Sequence, residues 1–153
     1  DPHDIAKRVG EMQHPHVFRV PEGRPIDGFA VATATMRHDC GAEAVDYAPK
    51  TACCGGSVSV MSPDKTLYLI KKIVEEAVDA GADVIATPCP LCQTNVEMYQ
   101  DAINKKFGTD FHIPVVFYSQ LMAVAFGLDA TKDAALNQNT IRSTKLEEMA
   151  KKK

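Results

Sequence analysis

The 153-residue chain is long enough for one domain with a substantial core, and its 45% hydrophobic and 24% charged residues are ordinary for a globular protein. A net charge of −3, with no basic stripe before the last few residues, argues against nucleic acid as a partner. No apolar run approaches the roughly 20 residues that span a bilayer, and no secretory signal is visible, so the expectation is a cytoplasmic protein without a membrane span.

In chain order, short apolar runs alternate with helical stretches. His16 to Val20 reads as a first strand, Ile26 to His38 as a helix stopped near Gly41, and Glu43 to Tyr47 as a second strand. A Gly- and Ser-bearing loop follows, around Cys53-Cys54-Gly55-Gly56. Ser62 is a good N-cap, and Pro63 suits a first helical position. Leu67, Ile70, Val74, Ala77 and Val78 then recur at helical spacing up to Gly81. Val84 to Ala86 reads as a buried third strand ending at Thr87-Pro88-Cys89. A helix from Leu91 to Phe107 stops at Gly108, and Ile113 to Tyr118 forms a fourth strand. Ser119 to Phe126 is an apolar helix ended by Gly127. From about residue 129 the tail is polar and partly helical, and its lysine end is solvated.

This order predicts an α/β fold: a four-stranded parallel sheet with helices on both faces, Rossmann- or flavodoxin-like, with right-handed crossovers. No linker or internal repeat appears, so residues 1–153 read as a single domain.

Five cysteines occur, four of them in two tight pairs, Cys53-Cys54 and Cys89-x-x-Cys92. In a chain of this length without an export signal they point to metal or redox chemistry rather than to structural disulfides. In a parallel sheet both pairs follow carboxyl ends of strands and lie at one edge. With strand order 2-1-3-4 their loops sit two strand spacings apart, roughly 10 Å, with the loop Val20 to Pro25 in the gap. A helix N-terminus favours thiolates and anionic clusters, and Gly55-Gly56 permits a sharp turn. Adjacent thiolates strain a single zinc, because structural zinc sites space each pair by two to four residues. A polynuclear cluster offers separate irons to separate sulfurs. The expected site is therefore an iron–sulfur centre on Cys53, Cys54, Cys89 and Cys92, with zinc as the alternative.

Cys40 is expected at the opposite edge as a free thiol. His14, His16 and His112 read as surface or strand residues, His16 being the best substitute ligand among them. Arg24 reads as a surface arginine, Met61, Met98 and Met122 as core, and Lys71-Lys72 with Glu75-Glu76 as a solvated helix face.

At these loops the sequence resembles the cysteine-rich CCG domain of the heterodisulfide reductase family, as found in the B-type subunits of those enzymes. The likeness rests on Lys50-Thr51-Ala52-Cys53-Cys54-Gly55-Gly56 and Pro88-Cys89-Pro90-Leu91-Cys92-Gln93, with 34 residues between Cys54 and Cys89. Gly41 to Tyr47 and Phe117 to Leu121 are also similar, and the likeness runs from about Val17 to Leu128. The family pattern is one cysteine, a gap, CC, a gap of similar length, then CxxC. In register on Gly23-Arg24-Pro25, the first cysteine falls at Val20. Family members usually carry two such domains in tandem, so this chain looks like a carboxy-terminal copy, alone or cut from a longer subunit. The start at Asp1 rather than Met agrees with a fragment or processed product.

The resemblance implies a 4Fe-4S cluster, of noncubane type where all five cysteines are present, that acts on a disulfide. With Val20 in the first position it implies an ordinary four-thiolate cluster, or a three-thiolate one with an open iron. It further implies an oxidoreductase acting on sulfur groups, a small thiol or disulfide substrate, and flavin and ferredoxin-like iron–sulfur subunits as partners. Two alternatives remain open: a zinc-stabilised assembly module, and a metal-free dithiol oxidoreductase using Cys89 and Cys92.

Overall fold

The computed structural model describes the strands at 16–19 and 43–45 and residues 48–151. Strand β1 is His16–Arg19 and β2 is Glu43–Val45. A short 3-10 turn at Ala48–Thr51 leads into the first cysteine loop, and another at Gly56–Val58 leaves it. Helix α1 is Pro63–Asp79, β3 Val84–Thr87, α2 Pro90–Met98, α3 Gln100–Phe107, β4 Val115–Phe117, α4 Tyr118–Ala125 and α5 Thr144–Lys151. The predicted helix Ile26 to His38, together with His14, Val20, Arg24 and Cys40, lies outside the described residues.

The strands form one sheet in the order β2-β1-β3-β4. Their directions overturn the expected four-stranded parallel, Rossmann- or flavodoxin-like sheet. β1 runs antiparallel to β2, Phe18 opposite Ala44, and antiparallel to β3, Phe18 opposite Val84. Only β3 and β4 are parallel, with Ala86 opposite Val116. The described part is thus a two-stranded parallel core flanked by helices, extended by two antiparallel strands. A short apolar run carries no mark of its direction, and antiparallel edge strands are common on otherwise parallel sheets.

The parallel pair is sandwiched, and its residues alternate between two cores, as the two-residue period of a strand requires. Val84, Ala86 and Val116 pack with Leu121, Val124, Leu136 and Leu146, from α4, the tail and α5. Ile85 and Val115 pack with Ile70, Ile73 and Val74 of α1, Val96 of α2 and Ile103 of α3. The tail, polar in composition, therefore places Ala130, Ala134, Leu136 and Leu146 inside the first of these cores.

Helix α1 starts at Pro63 after Ser62, although the Ser62 side chain makes no capping bond. The helix expected from Leu91 to Phe107 is divided at Tyr99. Just past the division, the buried Gln100 side chain donates to the carbonyls of Val96 (3.1 Å) and Ile113 (2.9 Å) and accepts from Ile113 N–H (2.9 Å). These bonds tie the helix junction to the segment entering β4. Met61 and Met98, expected in the core, are exposed. Met61 precedes the start of α1 and Met98 ends α2, so each sits at an element end rather than on a packed face.

Candidate metal and redox site

The antiparallel course of β1 has a direct effect on the site. β2 and β3 are each antiparallel to β1, so they run in the same direction and their carboxyl ends lie at the same rim. Cys53 and Cys54 follow β2, and Cys89 follows β3, so both cysteine loops leave that rim. β1 points the other way. Its first residue, His16, pairs with Ala86 near the cysteine rim, and its last, Arg19, pairs with Glu43 at the far rim. The expectation that the carboxyl end of the first strand faces the gap between the cysteine loops is thus corrected.

The first loop is shaped by its glycines. Gly55 sits at φ +71°, a left-handed conformation that costs residues with a Cβ. Its carbonyl lies 3.2 Å from the buried Thr66 hydroxyl, which fixes the loop on α1. A Cβ at Gly56 would fall 2.6 Å from Asn95 Nδ2 and 2.9 Å from Leu91, so this glycine lets the loop press against α2. Cys53 is exposed, with Gly55 N–H donating to its sulfur at 3.4 Å, while Cys54 is 2% exposed and packs into the core with Ile70 and Val96.

The second loop is held by Thr87, whose Oγ1 accepts the Cys89 N–H at 3.2 Å. Cys89 is extended and caps α2, and Pro90 occupies the first helical position. Cys92 therefore lies in the first turn, where unsatisfied N–H groups and the helix dipole favour negative charge.

The two loops meet through Cys54 and Cys92, whose sulfurs are 3.3 Å apart as free thiols. The contact divides the pair electrostatically. The Cys54 thiol is lowered to about 6, chiefly because its sulfur accepts the Cys92 proton; burial opposes this, and the Gly56 N–H and the Asn95 amide assist. Cys92 is pushed up, first because its proton is held against Cys54, then by burial and by Cys89 beside it. The contact thus favours the thiolate on Cys54 and the thiol on Cys92.

Of the four expected ligands, the structure brings Cys54 and Cys92 into contact and Cys89 beside Cys92, with Cys53 on the exposed side of its loop. Among the described residues, no three His, Cys, Asp or Glu side chains are grouped to hold a single metal ion. In kind, the donors fit a thiolate-bound group: they are four free thiols, the ligands that zinc and iron–sulfur clusters take. His112 is a surface residue bonded to Asp110 at 3.0 Å.

Asn95 escaped the sequence reading. Three residues after Cys92 it shares that residue's helical face, and its Nδ2 lies 3.9 Å from the Cys54 sulfur. Its position in CPxC-x-x-N was the one signal that could have found it. Gln120 was missed too. It accepts from Phe117 N–H (2.9 Å), donates to the Ala134 carbonyl (3.0 Å) and lies 3.5 Å from Gln93, next to Cys92.

The cysteine-rich domain family called CCG matches residues 23–97. The chain is 37% identical over 105 residues to the B-type subunit of the ferredoxin:CoB-CoM heterodisulfide reductase of Methanosarcina mazei, covering 67% of this chain and 35% of that protein. It is 33% identical over 106 residues to the 8-methylmenaquinol:fumarate reductase membrane anchor subunit of Wolinella succinogenes, covering 69% and 37%. It is 33% identical over 78 residues to the D-type subunit of the dihydromethanophenazine:CoB--CoM heterodisulfide reductase of Methanosarcina acetivorans, covering 50% and 18%. The chain thus spans about a third of the length of the first two. Among the described residues no helix is long and apolar enough to cross a membrane.

Proposed function

We propose that this chain, which belongs to the family of cysteine-rich CCG domains, is an iron–sulfur redox subunit, or part of one, that exchanges electrons with a thiol or disulfide. Cys53, Cys54, Cys89 and Cys92 are its proposed ligands, and other subunits of a heterodisulfide-reductase-like complex its proposed partners. The single observation that carries this reading is the 3.3 Å contact between Cys54 and Cys92, which joins the two family motifs at one rim.

When bound, a cluster supplies single electrons at a sulfur-rich site. The chain's own residues supply the rest. Thr87 and Pro90 orient Cys89 at the head of α2. Gly55 and Thr66 hold the first loop against α1, and the core around Cys54 keeps water from that sulfur. Cys53, on the exposed side, leaves a route for a small sulfur substrate from solvent. Relatives of this chain are named as subunits of oxidoreductases, which supports assembly with further chains.

Anaerobic purification with iron, sulfide and zinc analysis, combined with electron paramagnetic resonance, tests the reading. Wild-type chain is expected to hold iron and acid-labile sulfide, and Cys89→Ser to lose both the cluster absorbance and the signal. Unchanged iron in Cys89→Ser overturns the ligand assignment. Stoichiometric zinc without iron favours the assembly module, and metal-free chain that cycles its thiols favours the dithiol reading.

A further inference from the structure

Asn95 is an amide placed where a hydrocarbon would cost less. It sits in α2 with its residue 8% exposed, beside Val96 and Glu97, which are also buried. Burying an amide without a partner is costly, because the water it gives up is not replaced. Its side-chain hydrogen bond among the described residues is to the Cys54 sulfur, 3.9 Å from Nδ2. Gly56 lacks a Cβ where one would meet that same Nδ2 at 2.6 Å. The first loop, the glycine and the helix are thus fitted around one N–H group aimed at one sulfur. A thiolate ligand carries negative charge, and an N–H donor stabilises it as charge accumulates on it. Hydrogen bonds to the sulfurs are among the factors that set the reduction potential of an iron–sulfur centre.

We propose that Asn95 is a positioning residue that donates its amide N–H to the Cys54 sulfur and thereby raises the reduction potential of the centre that sulfur ligates. The inference rests on the iron–sulfur reading above and goes beyond it by assigning a role to a residue that is not a ligand. Reduction adds negative charge to the centre and its thiolates, and the amide dipole favours the reduced form more than the oxidised one.

The test is a dye-mediated redox titration of the full chain purified anaerobically with its cluster, for wild type, Asn95→Leu and Asn95→Ala. Dithionite supplies each electron, and no bond is made or broken in the titrated step. Both variants remove the donor; the leucine keeps most of the volume and the alanine opens a cavity. Both are expected to retain iron and to titrate at a more negative potential than wild type. The Fe–S stretching band that shifts in deuterated water in wild type is expected to lose part of that shift in both. A loss of packing alone would lower thermal stability, more in the alanine, and leave the midpoint in place. Iron-loaded variants that titrate at the wild-type midpoint overturn the inference. So does loss of iron or of the fold in both variants, which would assign Asn95 to architecture. Wild-type chain that holds no iron overturns the iron–sulfur reading itself, and the inference with it; iron content therefore separates the two failures.

Discussion

Cys54 and Cys92 stand 38 residues apart in the chain and 3.3 Å apart at their sulfurs, one from a loop after β2 and the other from the first turn of α2. Both are free thiols, one buried in the core and the other half-buried. The contact predicts the order of thiol chemistry in metal-free chain. Diamide is expected to take the two thiol hydrogens, becoming the hydrazine, and to leave a Cys54–Cys92 disulfide as the first product. Cys53, exposed on its loop, is expected to remain open to iodoacetamide. Peptide mapping by mass spectrometry reads the pairing. A Cys89–Cys92 bridge as first product would contradict the arrangement and favour a CxxC dithiol pair.

The two glycines of the first loop differ in what they hold. Gly55→Ala places a Cβ on a left-handed residue, at a cost of roughly 1–2 kcal/mol, 3.0 Å from Leu69. Gly56→Ala drives a Cβ against the Asn95 amide and Leu91, and overpacking of this kind costs about 1–3 kcal/mol. Urea unfolding is expected to show both losses. Only Gly56→Ala should also slow formation of the Cys54–Cys92 disulfide, because only that change pushes the first loop off α2. Equal disulfide rates in the two variants would mean that Gly56 does not set the approach.

The cysteine loops were legible because their chemistry is local. CC followed by Gly-Gly, and CPxC after an apolar run, each describe a turn by residue type alone, and Pro63 and Gly108 marked a helix start and a helix end in the same way. Strand direction was not legible. The run His16 to Arg19 looks the same whichever way it pairs, and its antiparallel registers with Ala44 and Val84 are decided by long-range packing. The shared rim survived that error because two reversals restore the direction: β2 and β3 both oppose β1. The buried polar residues were hidden for another reason. Gln100 and Asn95, both buried, and the half-buried Gln120 are ordinary surface types, and only the groups that tertiary structure brings to them explain their placement. The break at Tyr99 belongs with these, since Gln100 beside it is bound to Ile113, 13 residues away.

Glu97 gives the chain a pH response. Its carboxylate is buried and accepts the N–H groups of Thr140 (3.1 Å) and Ile141 (3.2 Å), tying the tail to α2. Burial pushes its pKa above the ordinary 4.5, and the backbone donors only partly restrain it. A carboxyl with a raised folded-state pKa binds its proton more tightly when folded. Its contribution to stability is fully present below the unfolded value and is lost as pH rises through the folded one. Relative to Glu97→Gln, wild type is therefore expected to lose stability as pH climbs through and above 4.5, and to level off once the folded group has ionised. Urea midpoints across that range read the difference. A rising difference would mean that the Thr140 and Ile141 donors outweigh burial.

Leu146 decides whether the tail is part of the fold. It is fully buried on α5, in the cluster that holds Val84, Val116 and Leu121, although the surrounding sequence is polar and ends in lysines. Lys145 reinforces its placement by pairing with Asp83 at 2.6 Å, beside the start of β3. Leu146→Ala removes most of a core side chain and leaves a cavity on the face of the parallel pair opposite Cys54, which costs about 2–5 kcal/mol. Lys145→Ala removes only a half-exposed ion pair, worth up to about 1 kcal/mol. Urea unfolding should separate the two by more than their error, with the leucine variant much the weaker. Because the cysteine loops pack on the other face through Ile85 and Val115, Leu146→Ala should leave the rate of Cys54–Cys92 disulfide formation near wild type under conditions where the variant stays folded. Equal and small losses in both variants would mean that α5 lies against the domain without sharing its core.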